Sequence, residues 1–168
     1  IGLMSGTSLD GIDIAFCEFR LQDSKWLSKI HQAETIPYTR QWRERLVSAG
    51  TGRAIELITL DRDYGHLLGS LTRDFIEKHR IHPDFIASHG HTVFHRPEDR
   101  LTLQIGHGPA IKAETGIPVI CDFRSLDVAL GGQGAPLVPV GDRLLFSDYV
   151  ICLNLGGFAN ISFDSGGK

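Results

Sequence analysis

The sequence predicts an α/β fold, a mostly buried mixed sheet flanked by helices. Three observations carry this expectation. Short apolar runs closed by glycine or polar residues recur along the 168 residues. One long segment, residues 53–79, instead repeats its apolar side chains at spacings of three and four. The resulting order, β-β-α-β-β-α-β-α-β, is that of one α/β domain or one lobe of a larger protein.

Taken in order, Ile12-Asp13-Ile14-Ala15-Phe16-Cys17-Glu18-Phe19 alternates as a strand does. Residues 26–35 continue as its neighbour after the polar turn Gln22-Asp23-Ser24-Lys25, which predicts an N-terminal hairpin or meander. In residues 53–79, Leu57, Leu60, Tyr64, Leu67, Leu68, Leu71 and Phe75 share one helix face, and Pro83 stops the helix soon after its end. Strands are expected at 85–88, 101–105, 117–121 and 149–154, all in the buried sheet. Helices are expected at 110–115 and 136–146, with Pro136 in a first turn, where its missing N–H has no intrahelical partner to lose. No internal repeat, low-complexity tract or linker interrupts the chain.

Composition narrows the function classes. With 42% hydrophobic residues a core is affordable, and no apolar run approaches a membrane span. The 17 basic and 20 acidic residues are interspersed, so neither a nucleic acid nor a membrane is an expected partner. Cys17, Cys121 and Cys152 are odd in number, lack CxxC spacing and sit in apolar stretches, which reads as buried thiols in a reducing cytoplasm. The opening Ile1-Gly2-Leu3-Met4 has no charged region or cleavage site of a secretory signal, and its missing initiator Met implies trimmed residues.

Four motifs carry candidate chemistry. In Gly2-Leu3-Met4-Ser5-Gly6-Thr7-Ser8-Leu9-Asp10-Gly11-Ile12-Asp13, a strand turning through small residues presents backbone N–H groups and hydroxyls in one arc, as a phosphate cradle requires. Asp10 and Asp13 are candidates for Mg²⁺ or its waters. It is neither a Walker A loop nor a dinucleotide fingerprint, and an Asx-rich β-turn is the plain alternative. In Ser88-His89-Gly90-His91-Thr92-Val93-Phe94-His95, the three histidines open a metal-dependent hydrolase reading. A strand-end loop whose histidine donates to a sugar hydroxyl or to backbone is favoured over it, because Gly90 leaves the ring directions unfixed.

In the third motif, Asp122-Phe123-Arg124 closes a strand where open α/β sheets bind ligands. Gly131-Gly132-Gln133-Gly134 with Pro136 then opens a helix, and Asp127 lies too far along to share the first turn. An Asp122–Arg124 ion pair and a close-packing glycine turn are the structural alternatives. The fourth motif, Leu153-Asn154-Leu155-Gly156-Gly157-Phe158-Ala159-Asn160-Ile161-Ser162, reads as a hairpin with Asn154 and Asn160 near its tip.

Together, in this order, the motifs resemble the anhydro-N-acetylmuramic acid kinase family, within the superfamily of sugar kinases, heat-shock ATPases and actin. The resemblance runs from Gly2 to Ser165. It rests on Gly-Leu-Met-Ser-Gly-Thr-Ser-Leu-Asp-Gly-Ile-Asp, Gln-Ile-Gly, Asp-Phe-Arg and Gly-Gly-Gln-Gly-Ala-Pro-Leu-Val-Pro. It implies a ribonuclease-H-like, actin-like ATPase lobe, with residues 1–168 as the N-terminal lobe of a two-lobed kinase. It implies hydrolytic opening of 1,6-anhydro-N-acetylmuramic acid coupled to phosphorylation of O6 by ATP with Mg²⁺, in cell-wall recycling in the cytoplasm. A non-catalytic nucleotide-binding module of the same superfamily is the alternative it leaves open, and a homodimer is compatible with it.

Residue by residue, the resemblance places Gly6, Thr7, Ser8, Leu9, Asp10, Gly11, Ile12 and Asp13 at the ATP phosphates. It places His89, Gly90, Thr92, Asp122 and Arg124 at the sugar. The family's water-activating Asp is expected after Lys168, so the chain alone should be inactive; inside it, Asp122 and Asp127 are the first candidates for that role. His91 departs from the Gln of the common Ser-His-Gly-Gln-Thr string.

Overall fold

The computed structural model describes residues 1–6, 8–155 and 159–163. The chain enters as strand β1 (Gly2–Ser5), turns, and returns as the long ribbon β2 (Gly11–Gln22) and β3 (Lys25–Pro37). Asp23 and Ser24 join the ribbon with φ of 49° and 64°, the pair of positive values that a two-residue turn of this hand demands. Helix α1 (Arg40–Val47) follows, then α2 (Ala54–His79), β4 (Ile86–Ser88), β5 (His91–Arg96), β6 (Leu101–Ile105) and α3 (Gly108–Thr115). The remainder is β7 (Val119–Cys121), α4 (Ser125–Ala129), α5 (Val138–Leu145), β8 (Ile151–Leu155) and β9 (Ala159–Phe163).

The main sheet runs β3-β2-β1-β4-β7. The first three strands are mutually antiparallel, while β4 is parallel to β1 and β7 parallel to β4. This is the mixed α/β architecture expected, with five strands and flanking helices. Leu60, Tyr64, Leu68 and Phe75 of α2 are buried with Leu3, Ile12, Ile14 and Ile86 of the sheet in one core. Helix α3 lies against α2 where the latter carries glycine: a Cβ at Gly65 would stand 2.6 Å from the His107 carbonyl oxygen, and one at Gly69 would meet Glu114 Cβ at 2.7 Å. Glu56 reaches back to the Arg53 backbone N–H at 2.9 Å and satisfies one free donor at the start of α2.

Several expectations are corrected. The 101–105 and 149–154 segments do not join the main sheet: β6 pairs only with β5, and β8 only with β9, in separate two-stranded ribbons. Gly90, at φ 72°, swings the chain out of the sheet after only three residues of β4, and this creates the β5–β6 ribbon. Helices α1 and α4 were not anticipated. Pro136 precedes α5 by two residues, and Pro139 holds the first-turn position instead. Nor are the cysteines buried. Cys121 is exposed at the end of an edge strand, Cys17 is half-buried beside the β2–β3 bulge, and Cys152 is half-buried in a ribbon open on both sides; all three are free.

The end of α2 is stapled to β3, where Glu34 accepts hydrogen bonds from Lys78 at 2.7 Å and from His79 at 2.5 Å. These bonds, Lys78 first, hold the Glu34 carboxyl below its usual 4.5. A carboxylate whose folded value is depressed stabilises the fold above its unfolded value and stops doing so as pH falls through the folded one. Glu34→Gln should therefore lower the melting temperature at neutral pH. The gap from wild type should close below about pH 4; a gap that persists in acid would assign the effect to packing.

Candidate functional site

Strands β1, β4 and β7 run parallel and end side by side, with Leu3 opposite Ser88 and Ser88 opposite Cys121. Each strand end leads into one of the first three motifs, so the topology gathers at one sheet edge what the sequence scatters over more than 120 residues. The turn after β1 closes through a Leu9 N–H to Gly6 carbonyl bond of 3.3 Å, with Leu9 at φ 56°. Asp10 Oδ1 accepts from Ser8 Oγ and from the Gly11 N–H, both at 2.9 Å. The Ser8 bond leads in holding the Asp10 carboxyl below its ordinary range. Thr7 lies outside the described residues. Gly11 is glycine because a Cβ there would stand 2.6 Å from the Ile36 carbonyl oxygen, and the Ile12 side chain is in the core, 1% exposed. These two residues pack the turn.

Asp10 and Asp13 are both exposed, and Asp13 Oδ1 accepts from Thr35 Oγ1. Each carboxylate keeps a second oxygen with no protein partner among the described residues. That donor set fits a Mg²⁺ ion that keeps most of its waters and takes one or two carboxylates beside substrate phosphates.

At the second and third strand ends, His89 and Arg124 meet. Arg124 Nε and Nη2 lie 3.1 and 2.9 Å from His89 Nε2, and Nη1 donates to the Gly134 carbonyl. His89 Nδ1 is 2.9 Å from the Gly90 carbonyl oxygen. A carbonyl only accepts and a guanidinium only donates, so His89 carries its proton on Nδ1. Burial first, then the charge of Arg124, keeps that ring neutral. Both ring nitrogens are thus occupied within the protein: of the two roles foreseen for this histidine, backbone donor and sugar donor, it takes the first.

Asp122 and Arg124 do not form an ion pair. Asp122, at φ 59°, turns back to accept from the Ser125 N–H at 3.2 Å and starts α4. Asp127, which was expected to stand apart, holds the glycine turn by accepting from the Gly134 N–H at 2.7 Å. Arg124 and Asp127 therefore grip Gly134 through its carbonyl and its N–H respectively. Thr92 Oγ1 lies 3.4 Å from Gln104 Nε2 across the β5–β6 ribbon.

The three histidines do not converge. His89 faces Arg124, His91 faces Ser5 at 3.3 Å, and His95 faces Thr102 Oγ1 at 3.2 Å on the exposed part of β5. Among the described residues no three metal-ligating side chains cluster. The zinc-type reading of this segment fails on geometry, because successive rings along a bulged strand point to different partners.

A family model described as anhydro-N-acetylmuramic acid kinase matches residues 1–168. The chain belongs to that family. Among curated proteins of this name, it is 41% identical over 171 residues to that of Paramagnetospirillum magneticum, covering 98% of this chain and 47% of the relative. It is 42% identical over 179 residues to that of Azorhizobium caulinodans, covering 96% and 47%. The Pasteurella multocida relative is 41% identical over 170 residues, covering 96% and 45%. The chain spans about half the length of the curated relatives it matches.

For a member of the anhydro-N-acetylmuramic acid kinase family, the chemical means assembled here are positioning ones. The strand ends offer backbone N–H groups, two partly free aspartates and an arginine held by two partners. Although the residue is exposed overall, partial desolvation of its sulfur, reinforced by the charges of Asp122 and Asp61, pushes the Cys121 thiol up and leaves no activated nucleophile there. In the fourth motif Asn154 lies opposite Asn160 as the hairpin reading requires; Gly156, Gly157 and Phe158 lie outside the described residues.

Sequence reasoning missed the chain of hydroxyls beside this edge, from buried Ser5 and Tyr64 through half-buried Tyr38. Ser5 Oγ is 2.6 Å from Tyr38 Oη, which is 2.5 Å from Tyr64 Oη. Burial pushes both phenols up, so both remain protonated. A usable signal existed: Tyr64 was counted as an apolar position, yet a buried tyrosine hydroxyl needs a partner.

Proposed function

We propose that this chain is the N-terminal lobe of an ATP-dependent kinase acting on 1,6-anhydro-N-acetylmuramic acid. Water adds across the C1–O6 bridge, the freed O6 takes the γ-phosphoryl group of ATP, and N-acetylmuramic acid 6-phosphate and ADP leave. The observation that supports this most is the convergence of three motifs at one parallel-strand edge, in a chain matched end to end by the kinase family. Residues 6–13 are assigned to the ATP phosphates, with Asp10 and Asp13 holding Mg²⁺ through its waters; the ion would neutralise charge on the transferring phosphoryl group. Gly90, Thr92, Asp122 and Arg124 line the sugar side, with His89 acting through Arg124.

The general base is assigned outside these residues. Asp122 and Asp127 each spend a carboxylate oxygen on a backbone N–H, which suits them to shaping the turn and not to activating water. Use of ATP and three free thiols suit a cytoplasmic protein, and no helix among the described residues is long and apolar enough to cross a membrane. The experiment is ADP release by the full-length protein with and without the anhydro-sugar. Sugar-dependent ADP and a phosphorylated muramic acid support the reading. Nucleotide binding that is indifferent to sugar, with no ADP release in either arm, would favour the non-catalytic nucleotide-binding module instead, and no nucleotide binding at all would reject both.

Gly6→Val tests the phosphate turn. A Cβ at Gly6 meets only Ser8, its Oγ at 3.3 Å and its backbone N at 3.9 Å, and Gly6 lies outside the left-handed region, so folding should change little. The branched side chain would hold phosphate oxygens off the N–H groups, and KM for ATP should rise about tenfold or more. Unaltered nucleotide affinity would make the turn purely structural.

A further inference from the structure

The proposed chemistry gives no task to the string Gln104-Ile105-Gly106. It closes β6, and the fold sets it directly behind the turn between His89 and His91. Ile105 is 1% exposed, and its carbonyl oxygen is so close to Gly90 that a Cβ on Gly90 would drive into it. A Cβ on Gly106, itself at φ 128°, would stand 3.4 Å from Gly90 Cα and 3.0 Å from Leu68 Cδ1. The two backbones thus touch across a pair of glycines, with no side chain between them to absorb a shift of either. Where residues 105–106 sit decides where Gly90 sits, and Gly90 carries the carbonyl oxygen 2.9 Å from His89 Nδ1.

One side chain ties this segment down from outside the β5–β6 ribbon. Asp61, half-buried on α2, accepts from the Gly106 N–H through Oδ1 at 2.7 Å, and its backbone carbonyl accepts from the His107 N–H at 3.3 Å. A carboxylate makes the shorter and stronger bond of this kind. The place also suits its charge. Helix α3 starts at Gly108, and its N-cap His107 makes no side-chain cap bond, so Asp61 supplies from another helix the anion that the positive end of α3 favours.

We propose that Asp61 is a positioning residue of the sugar side. By holding the Gly106 N–H it fixes Gln104-Ile105-Gly106 against Gly90, and through Gly90 it places His89 and the Arg124 guanidinium bonded to that ring. Asp61 itself touches no ligand in this role. The effect on catalysis rests on the kinase reading; the effect on His89 does not. The rival is a bond that only joins α2 to α3, and the molecule contains the control for it. Glu114, in the last turn of α3, pairs with His66 and Arg73 of α2, each at 2.8 Å, and joins the same two helices away from Gly106.

The test compares Asp61→Ala, Asp61→Asn, Asp61→Glu and Glu114→Ala with wild type in the full-length protein. Thermal melts, steady-state kinetics at a temperature where all are folded, and ¹⁵N–¹H correlation of labelled histidine rings are measured. Asp61→Ala and Glu114→Ala should both melt earlier. Only Asp61→Ala should lower kcat/KM for the anhydro-sugar, by about tenfold, less than the roughly 10²-fold that a misplacement of about 1 Å costs. Its KM for ATP should not change, and only in it should the His89 Nδ1 resonance move. Asp61→Asn keeps an oxygen at the same reach and should recover most of the loss. Asp61→Glu keeps the charge, carries the acceptor one methylene too far and should stay impaired.

Wild-type kinetics or an unmoved His89 resonance in a folded Asp61→Ala protein overturns the proposal. So does an equal kinetic loss in Glu114→Ala, or a rise in KM for ATP as large as the loss for the sugar. Should Asp61→Ala fail to fold, the other two substitutions decide, and indistinguishable kinetics and His89 resonances in Asp61→Asn and Asp61→Glu overturn it. Lack of any sugar-dependent ADP release by the wild type defeats the kinase reading, and the His89 resonance then tests the positioning alone.

Discussion

Arg124→Ala in the full-length protein should lower kcat/KM for the anhydro-sugar by about a hundredfold while shifting the melting temperature by only a few degrees. The guanidinium spans two separate partners, His89 Nε2 on the second strand end and the Gly134 carbonyl on the glycine turn. Without it, His89 loses the donor that fixes its tautomer and the turn keeps only its Asp127 tether. Displacements of about 1 Å in positioning groups cost on the order of 10²-fold in rate. The stability cost is smaller, because Arg124 is only partly buried and water replaces its bonds. Arg124→Lys should be impaired as well, since one ammonium cannot replace a fork that binds two acceptors at once. Kinetics and thermal melts of both variants check this. Intact kinetics with an earlier melt would make Arg124 a strut and remove it from the sugar side.

The parts of the fold that the sequence made legible are those in which local pattern and tertiary placement agree. The β2–β3 ribbon alternates and turns on polar residues, and α2 keeps Leu60, Tyr64, Leu68 and Phe75 on one face over about four turns. Helix α1 was illegible because only Trp42, Leu46 and Val47 of its eight residues are apolar, and its start depends on Thr39 accepting from the Trp42 N–H. Strand β5 was read as a loop because Gly90 breaks the pattern, although the glycine ends β4 and frees the next residue to start a new strand. At the site, residue types and strand ends were legible but pairings were not. Ser5 bonds a residue 86 positions away and Arg124 one 35 positions away. Such partners are chosen by which strands lie adjacent, and adjacency follows from the whole topology. Hence the nearest available carboxylate, Asp122, was offered to Arg124, when the fold gives it a histidine and a carbonyl.

Gly90→Ala should destabilise the protein by about 2–5 kcal/mol, and Gly116→Ala by no more than about 1–2 kcal/mol. The pair separates two costs, because both glycines have nearly the same positive φ, 72° and 73°. Around Gly116 a Cβ meets nothing within 4 Å, so alanine there bears only the strain of a left-handed conformation. At Gly90 the same Cβ would drive into the Ile105 carbonyl oxygen and approach Gln104 Cβ at 3.6 Å. That carbonyl belongs to β6, whose pairing with β5 leaves it no room to retreat without opening the ribbon. At about 2–4 °C per kcal/mol for a chain of this size, the Gly90 variant should melt roughly 4–20 °C below wild type. Activity should fall with it even at temperatures where it is folded, since Gly90 supplies the carbonyl that His89 donates to and sets the exit angle toward His91. Equal melting temperatures for the two variants would show that β6 yields to the methyl group, and that the tight approach of Gly90 to Ile105 is not what demands glycine between the two histidines.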